Sequence, residues 1–489
     1  MISMRSLLAG LLAGAALLAA GCGGGSSSNV SSSSGTVLDT AALAPADAGL
    51  WIWIDTDRSS DQWVALDAVL ARIPGAEKLV NDALAQAGQG QRQGKLDFRT
   101  DIQPAIGTEV VVVLPAGSSD PVVLVKPADE SKFKALLSTS KTPPATGERD
   151  GWTIVAEKQK AIDTYTAALD RGTLADSDAF AAAMNGLPQV ALARAFVDGK
   201  GLAAAFGKAA ATGSSALGSL PVSGLGSAGS SVSPKAIEQL GTIGLAVSAG
   251  DHVLRVDGSF ANAGGAKPAS FAPTLLGKVP GDALVAATWN GSGAEAAALK
   301  SGLGGVDVQR QLGVSQADLA AALDGEGVLY LRPSLLIPEV TLVVEPKDPA
   351  RAKRVFETLV AKALKGSSGS ISIPGLEPTV SALGDLVFVS TAKDASASFG
   401  GSAAKLVDST RFKTAAAGVG LGAKTDGFVF VDVGALGPLL SGILSSAGAS
   451  SGDSSLEQLT DALSAIDSLA INTSDDGGRV RFQGVVRVR

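Results

Sequence analysis

The chain has 489 residues, 46% of them hydrophobic and 18% charged, which supplies core material for two or three domains and argues against general disorder. Its net charge of −7, with no Lys/Arg cluster, offers no electrostatic footprint for nucleic acid. A single cysteine, Cys22, and a single histidine, His252, exclude an intramolecular disulfide and a Cys/His zinc site, and no calcium-loop motif or cofactor site is read.

Residues 1–21 read as an export signal. Arg5 and the terminal amine are positive, residues 7–20 are an unbroken run of Leu, Ala and Gly, and Ala19-Ala20-Gly21 puts small residues at a cleavage point. The run is shorter than the roughly 20 residues of a membrane-spanning helix. Leu17-Leu18-Ala19-Ala20-Gly21-Cys22 resembles a bacterial lipobox. That resemblance implies a diacylated Cys22 as the new N-terminus. Two acyl chains, each contributing about 0.8 kcal/mol per buried CH₂, give stable anchoring. Residues 22–39 read as a tether, Gly/Ser-rich from Gly23 to Gly35. The expected location is extracytoplasmic, on a cell membrane.

The body reads as a duplication, with copies expected over 40–262 and 275–489, joined near 263–270. Leu43-Ala44-Pro45-Ala46-Asp47-Ala48 and the strand from Leu50 return as Val279-Pro280-Gly281-Asp282-Ala283 and the strand from Val285. The strand 109–114 has its counterpart in 327–331, and 121–126 in 339–345; a helix follows Asp129 in one copy and Asp348 in the other. Leu174-Ala175-Asp176-Ser177 with Phe180 matches Leu406-Val407-Asp408-Ser409 with Phe412. Phe196-Val197-Asp198 matches Phe430-Val431-Asp432, and each copy closes on a hairpin, 243–260 and 469–488.

Local chemistry supports these elements. Ser59-Ser60-Asp61-Gln62 has the pattern of a capping box opening an amphipathic helix, and Asp348-Pro349 that of an N-cap with Pro at the first helical position. Short β-branched runs with frequent hairpins give α+β: two tandem copies of one module, each a largely antiparallel sheet with packed helices. Residues 199–233 and 434–455, Ala/Gly/Ser/Leu-rich and nearly uncharged, stand at equivalent places. The lipobox, tether and duplicated module resemble the uncharacterised exported proteins grouped as domain of unknown function 3352, a resemblance that implies no activity.

Candidate chemistry is sparse. His252, between Asp251 and Val253, reads as a turn residue rather than a general base, since no nucleophile or orienting acid accompanies it. Gly224-Leu225-Gly226-Ser227-Ala228-Gly229 spells GxGxxG but lacks a strand before it, so it reads as a loop. Asp55 and Asp57 could pair for acid/base or cation chemistry, yet the second copy has Asn290 there, and a role at a helix start is favoured. Trp51 and Trp53 share one strand face and are expected in the core.

The expected function is therefore a non-enzymatic envelope lipoprotein. It meets the membrane through its N-terminal lipid and binds or scaffolds a lipid-like ligand or an envelope protein. The alternative is a solute-binding lipoprotein of a transporter.

Overall fold

The computed structural model describes residues 36–76, 100, 102–138, 142–212, 237–238, 241–261, 270–291, 313–334, 338–366, 378–401, 403–437, 439, 461–476 and 478–489. Two compact units result: Met1–Ala263 with Arg479–Arg481 and Val488–Arg489, and Gly264–Gly478 with Phe482–Arg487. The expected linker lies outside the described residues except for Ser270. The second module was expected to run to Arg489, but the two ends of the last strand belong to the first unit. Two hydrogen-bonded contacts account for this: Arg479 donates to Ser259 and Thr242, and the Val488 N–H donates to the His252 carbonyl.

The first unit holds β1 (Leu50–Asp55), β2 (Glu109–Leu114), β3 (Val122–Val125), β4 (Ala145–Arg149), β5 (Trp152–Ala156), β6 (Ala193–Asp198), β7 (Thr242–Gly250) and β8 (Val253–Ala261). They lie in the order β8-β7-β6-β1-β2-β3-β5-β4, every neighbour antiparallel. Alternation sends Trp51, Trp53, Val111 and Val113 to one face, under the helices Gln159–Leu169 and Asp178–Met184. Leu50, Val110, Val112 and Leu114 go to the other, under Glu130–Ser138 and Gly199–Thr212. Both faces of β2 are thus covered. For that reason its Val-Val-Val-Val run has no polar alternation, although the sheet is antiparallel.

The second unit holds β9 (Val285–Gly291), β10 (Gly325–Arg332), β11 (Glu339–Pro346), β12 (Thr379–Leu383), β13 (Leu386–Ser390), β14 (Gly427–Val431), β15 (Ile466–Asp475) and β16 (Arg479–Val488). Their order, β16-β15-β14-β9-β10-β11-β13-β12, matches that of the first unit strand for strand. One face carries Ala286, Val328, Tyr330, Phe388, Phe428 and Phe430, and the other packs on the helices Gln316–Ala322 and Pro349–Gly366. The α+β class and the antiparallel sheets read from the sequence are present in both units.

Helix starts follow the polar residues that the sequence sets there. The Ser177 hydroxyl accepts from the Phe180 N–H at 3.3 Å, and Ser409 from Phe412 at 3.2 Å. Asp348 Oδ1 accepts from the Arg351 N–H at 2.9 Å, just before Pro349. The capping box expected at 59–62 takes a different form. Ser60 is the N-cap of Asp61–Leu70, so the third helical residue is Trp63 and not Gln62. Gln62 instead bonds the backbone of Ala249 on β7 in both directions, at 2.9 and 3.1 Å.

Candidate functional site

The charged end of β1 gathers the candidate residues of the first unit. Glu109 is in register with Asp55 across the β1–β2 ladder, so both carboxylates leave the sheet on the face that carries Trp53. The Trp53 indole donates to Glu109 Oε2 at 3.1 Å, and Lys126 Nζ donates to Oε1 at 3.2 Å while lying 4.3 Å over the Trp152 ring. Trp51 donates to the Thr40 carbonyl, and both tryptophans are core residues of this face.

The Asp55 carboxylate is fully engaged by its own chain. Oδ1 accepts from the Asp57 N–H at 2.8 Å and Oδ2 from the Ser60 hydroxyl at 2.6 Å; the Asp55 carbonyl accepts from the Trp63 indole. Burial pushes its carboxyl above the usual value, against the lowering effect of those hydrogen bonds. Asp57 Oδ1 takes the N–H and the hydroxyl of Ser59, forming a turn of the Asx kind. Arg58 grips both Asp67 oxygens at 2.7 Å and lies 4.4 Å over Trp63. The two aspartates thus meet, and what they hold is the start of the helix Asp61–Leu70. A recess of about 320 Å³ opens beside them, lined by Asp57, Arg58, Ser59 and Gln103.

The same register recurs in the second unit, where Glu326 faces Asn290. Its Oε2 accepts from the Thr274 hydroxyl and its Oε1 from the Leu275 N–H, each at 2.6 Å, and burial raises its carboxyl. The sequence reading passed over Glu109 and Glu326. Their signal is a single acid at the start of an apolar strand.

His252 has φ +59° in the β7–β8 turn, partly exposed, with Asp251 at 3.3 Å. Cys22, the tether up to Gly35, the GxGxxG string and most of 199–233 and 434–455 lie outside the described residues, whereas the last four residues expected in the tether, Thr36 to Asp39, open a helix Thr36–Ala41. Among the described residues no group of three or more His, Cys, Asp or Glu is placed to hold a metal ion. Among them, too, no helix is long and apolar enough to cross a membrane.

A family model described as a protein of unknown function, DUF3352, matches residues 6–363. No curated protein matches the sequence. Among solved structures, crystal form IV of TP0453 is 8% identical over 46% of this chain and 83% of its own, with a TM-score of 0.23. Crystal form I of TP0453 is 10% identical over 47% and 82%, also at 0.23. Scores this low do not show a shared fold.

Proposed function

We propose that this chain, which belongs to the DUF3352 family of proteins of unknown function, is an exported lipoprotein held at a membrane through Cys22, with a non-enzymatic binding or scaffolding role. The observation that carries the reading is the position of the only cysteine in 489 residues, directly after Leu17-Leu18-Ala19-Ala20-Gly21 and directly before a Gly/Ser stretch. A cysteine placed there by chance would have no reason to follow an apolar run and precede a tether.

The fold supports the second half of the reading. Matching strand orders and paired N-caps favour two copies of one module. The Asp55 carboxylate is used up in fixing a helix start, and Asp57 is tied by Oδ1 into the turn with Ser59, which leaves the pair poorly suited to acid/base work. The antiparallel sheets weigh against the solute-binding alternative, whose lobes are usually parallel α/β. Apolar residues in the two uncharged segments, Leu439 and Leu440 among them, suit a lipid-like ligand or an apolar partner surface. Metabolic labelling with a clickable fatty acid tests the anchor. Label on the wild type and none on Cys22→Ser supports it, and an unlabelled wild type overturns it.

A further inference from the structure

The sequence holds two Asn-Gly dipeptides, Asn185-Gly186 and Asn290-Gly291. Asparagine is a thermolabile residue. It is most labile before glycine, which has no side chain to screen its nitrogen from the preceding amide and little resistance to rotation. The structure treats the two dipeptides very differently.

Asn290 and Gly291 lie in the β9–β10 ladder, in register with Glu326 and Gly325. Gly291 is buried, and a Cβ there would overlap the Leu323 carbonyl. Turning that peptide would break the ladder.

Asn185 and Gly186 are both exposed, in the turn that ends the helix Asp178–Met184. The Asn185 N–H donates back to the Ala181 carbonyl at 2.9 Å, and the Leu187 N–H to the Met184 carbonyl at 3.2 Å. Between them the Gly186 N–H has no acceptor among the described residues. Gly186 has φ +70°, and Asn185 is extended at ψ 131°. From that conformation the Asn185 side chain reaches the Gly186 nitrogen by rotation about its own Cα–C bond. The rotation disturbs one backbone hydrogen bond of an exposed turn and leaves the core untouched.

A cation lies against the same turn. The Arg481 guanidinium, part of the first unit, fills the space that a Cβ would need at Gly186. Its charge favours a deprotonated nitrogen as nucleophile and a carboxylate as product.

We propose that Asn185 is a site of spontaneous deamidation, which turns a neutral turn beside Arg481 into an acidic one as the protein ages. The Gly186 nitrogen gives up its proton and bonds to the Asn185 Cγ, and the side-chain amide nitrogen leaves as ammonia. Water then opens the five-membered imide that results. Breaking the Cγ–N bond yields aspartate; breaking the backbone C–N bond yields isoaspartate, which lengthens the main chain by one atom in the turn. The net change is one amide and one water to one acid and one ammonia. Water is the only co-reactant, and the anchor plays no part, so failure of this proposal would leave the lipoprotein reading intact.

The test ages the full chain in neutral buffer and maps its peptides by mass spectrometry, with enzymatic methylation to reveal isoaspartate. Asn185 is expected to show the amide-to-acid mass gain at least tenfold faster than Asn290. In urea, which removes the fold, the two rates are expected to converge. Asn185→Gln, whose longer side chain closes a larger ring, is expected to abolish the signal at 185, and Arg481→Gln to slow it severalfold. No conversion at Asn185, or equal rates at the two asparagines in the folded protein, overturns the proposal. A rate at Asn185 that Arg481→Gln leaves unchanged overturns the part given to Arg481.

Discussion

The ring of Phe180 meets that of Phe196 edge-on, 5.3 Å between centroids at 68°. In the second unit Phe412 meets Phe430 at 5.3 Å and 64°. Each pair is delivered in the same way: a Leu-x-Asp turn, a serine N-cap, and a Phe whose own N–H satisfies that cap. The ring then crosses to the Phe of the strand that enters the middle of the sheet.

Phe180→Ala and Phe412→Ala are therefore expected to cost about 3–5 kcal/mol each, from lost burial, the cavity left and the lost ring pair. Hydrogen exchange followed by mass spectrometry locates the effect. Each variant is expected to loosen the strands of its own unit, β6 and β7 in one case and β14 and β15 in the other. Protection lost equally everywhere would contradict two separate cores.

The serine caps are a smaller copy of the same test. Ser177→Ala and Ser409→Ala each strip one acceptor from the first turn of a helix, at about 1 kcal/mol. Chemical denaturation of the two variants is expected to show matching losses. A loss for one and none for the other would mean that the repeated sequence does not repeat its energetics.

Gly107 is set between the helix Gln103–Ile106 and β2 with φ +85°, and a Cβ there would overlap the Lys126 carbonyl. Gly107→Ala is expected to destabilise the first unit by about 2 kcal/mol or more, and to displace Lys126 from Glu109. A melt unchanged by this substitution would contradict the close approach.

How far the sequence discloses this structure depends on the range of the interactions. Strand alternation in Leu50–Asp55, the caps Ser177, Ser409 and Asp348, and the paired Phe positions are local signals, and they lead directly to the antiparallel α+β units. Gln62 was misread because a capping box and a side chain reaching another strand look alike until the partner, 187 residues away, is placed. The boundary at Arg479 was missed for the same reason, as its contact with Thr242 spans 237 residues. Glu109 and Glu326 acquire their meaning only from cross-strand register. In the sequence each is a single charge within or beside an apolar run.

Asp55 gives a pH signature. Burial raises its carboxyl above the usual 3.8, and the negative charges of Asp57 and Glu109 add to the rise. A carboxyl that holds its proton more tightly when folded stabilises the protein below its unfolded pKa, and that stability is lost as pH rises through the folded pKa. Asp55→Asn is therefore expected to flatten the decline in stability just above pH 3.8, measured by denaturation across the acid range. An unchanged slope would mean that Asp55 titrates alike in both states.

The most direct test of the whole account is fractionation of cells expressing the wild type and Cys22→Ser. Cys22 supplies the only thiol that can carry the lipid. The wild type is expected in the membrane fraction, resistant to high salt and released by detergent, because acyl chains and not charges hold it. Cys22→Ser is expected to be exported and recovered in the soluble fraction, with its fold intact by circular dichroism. A Cys22→Ser protein that stays with the membranes as firmly as the wild type would contradict a lipid anchor at this cysteine, and with it the reading of the chain as an envelope lipoprotein.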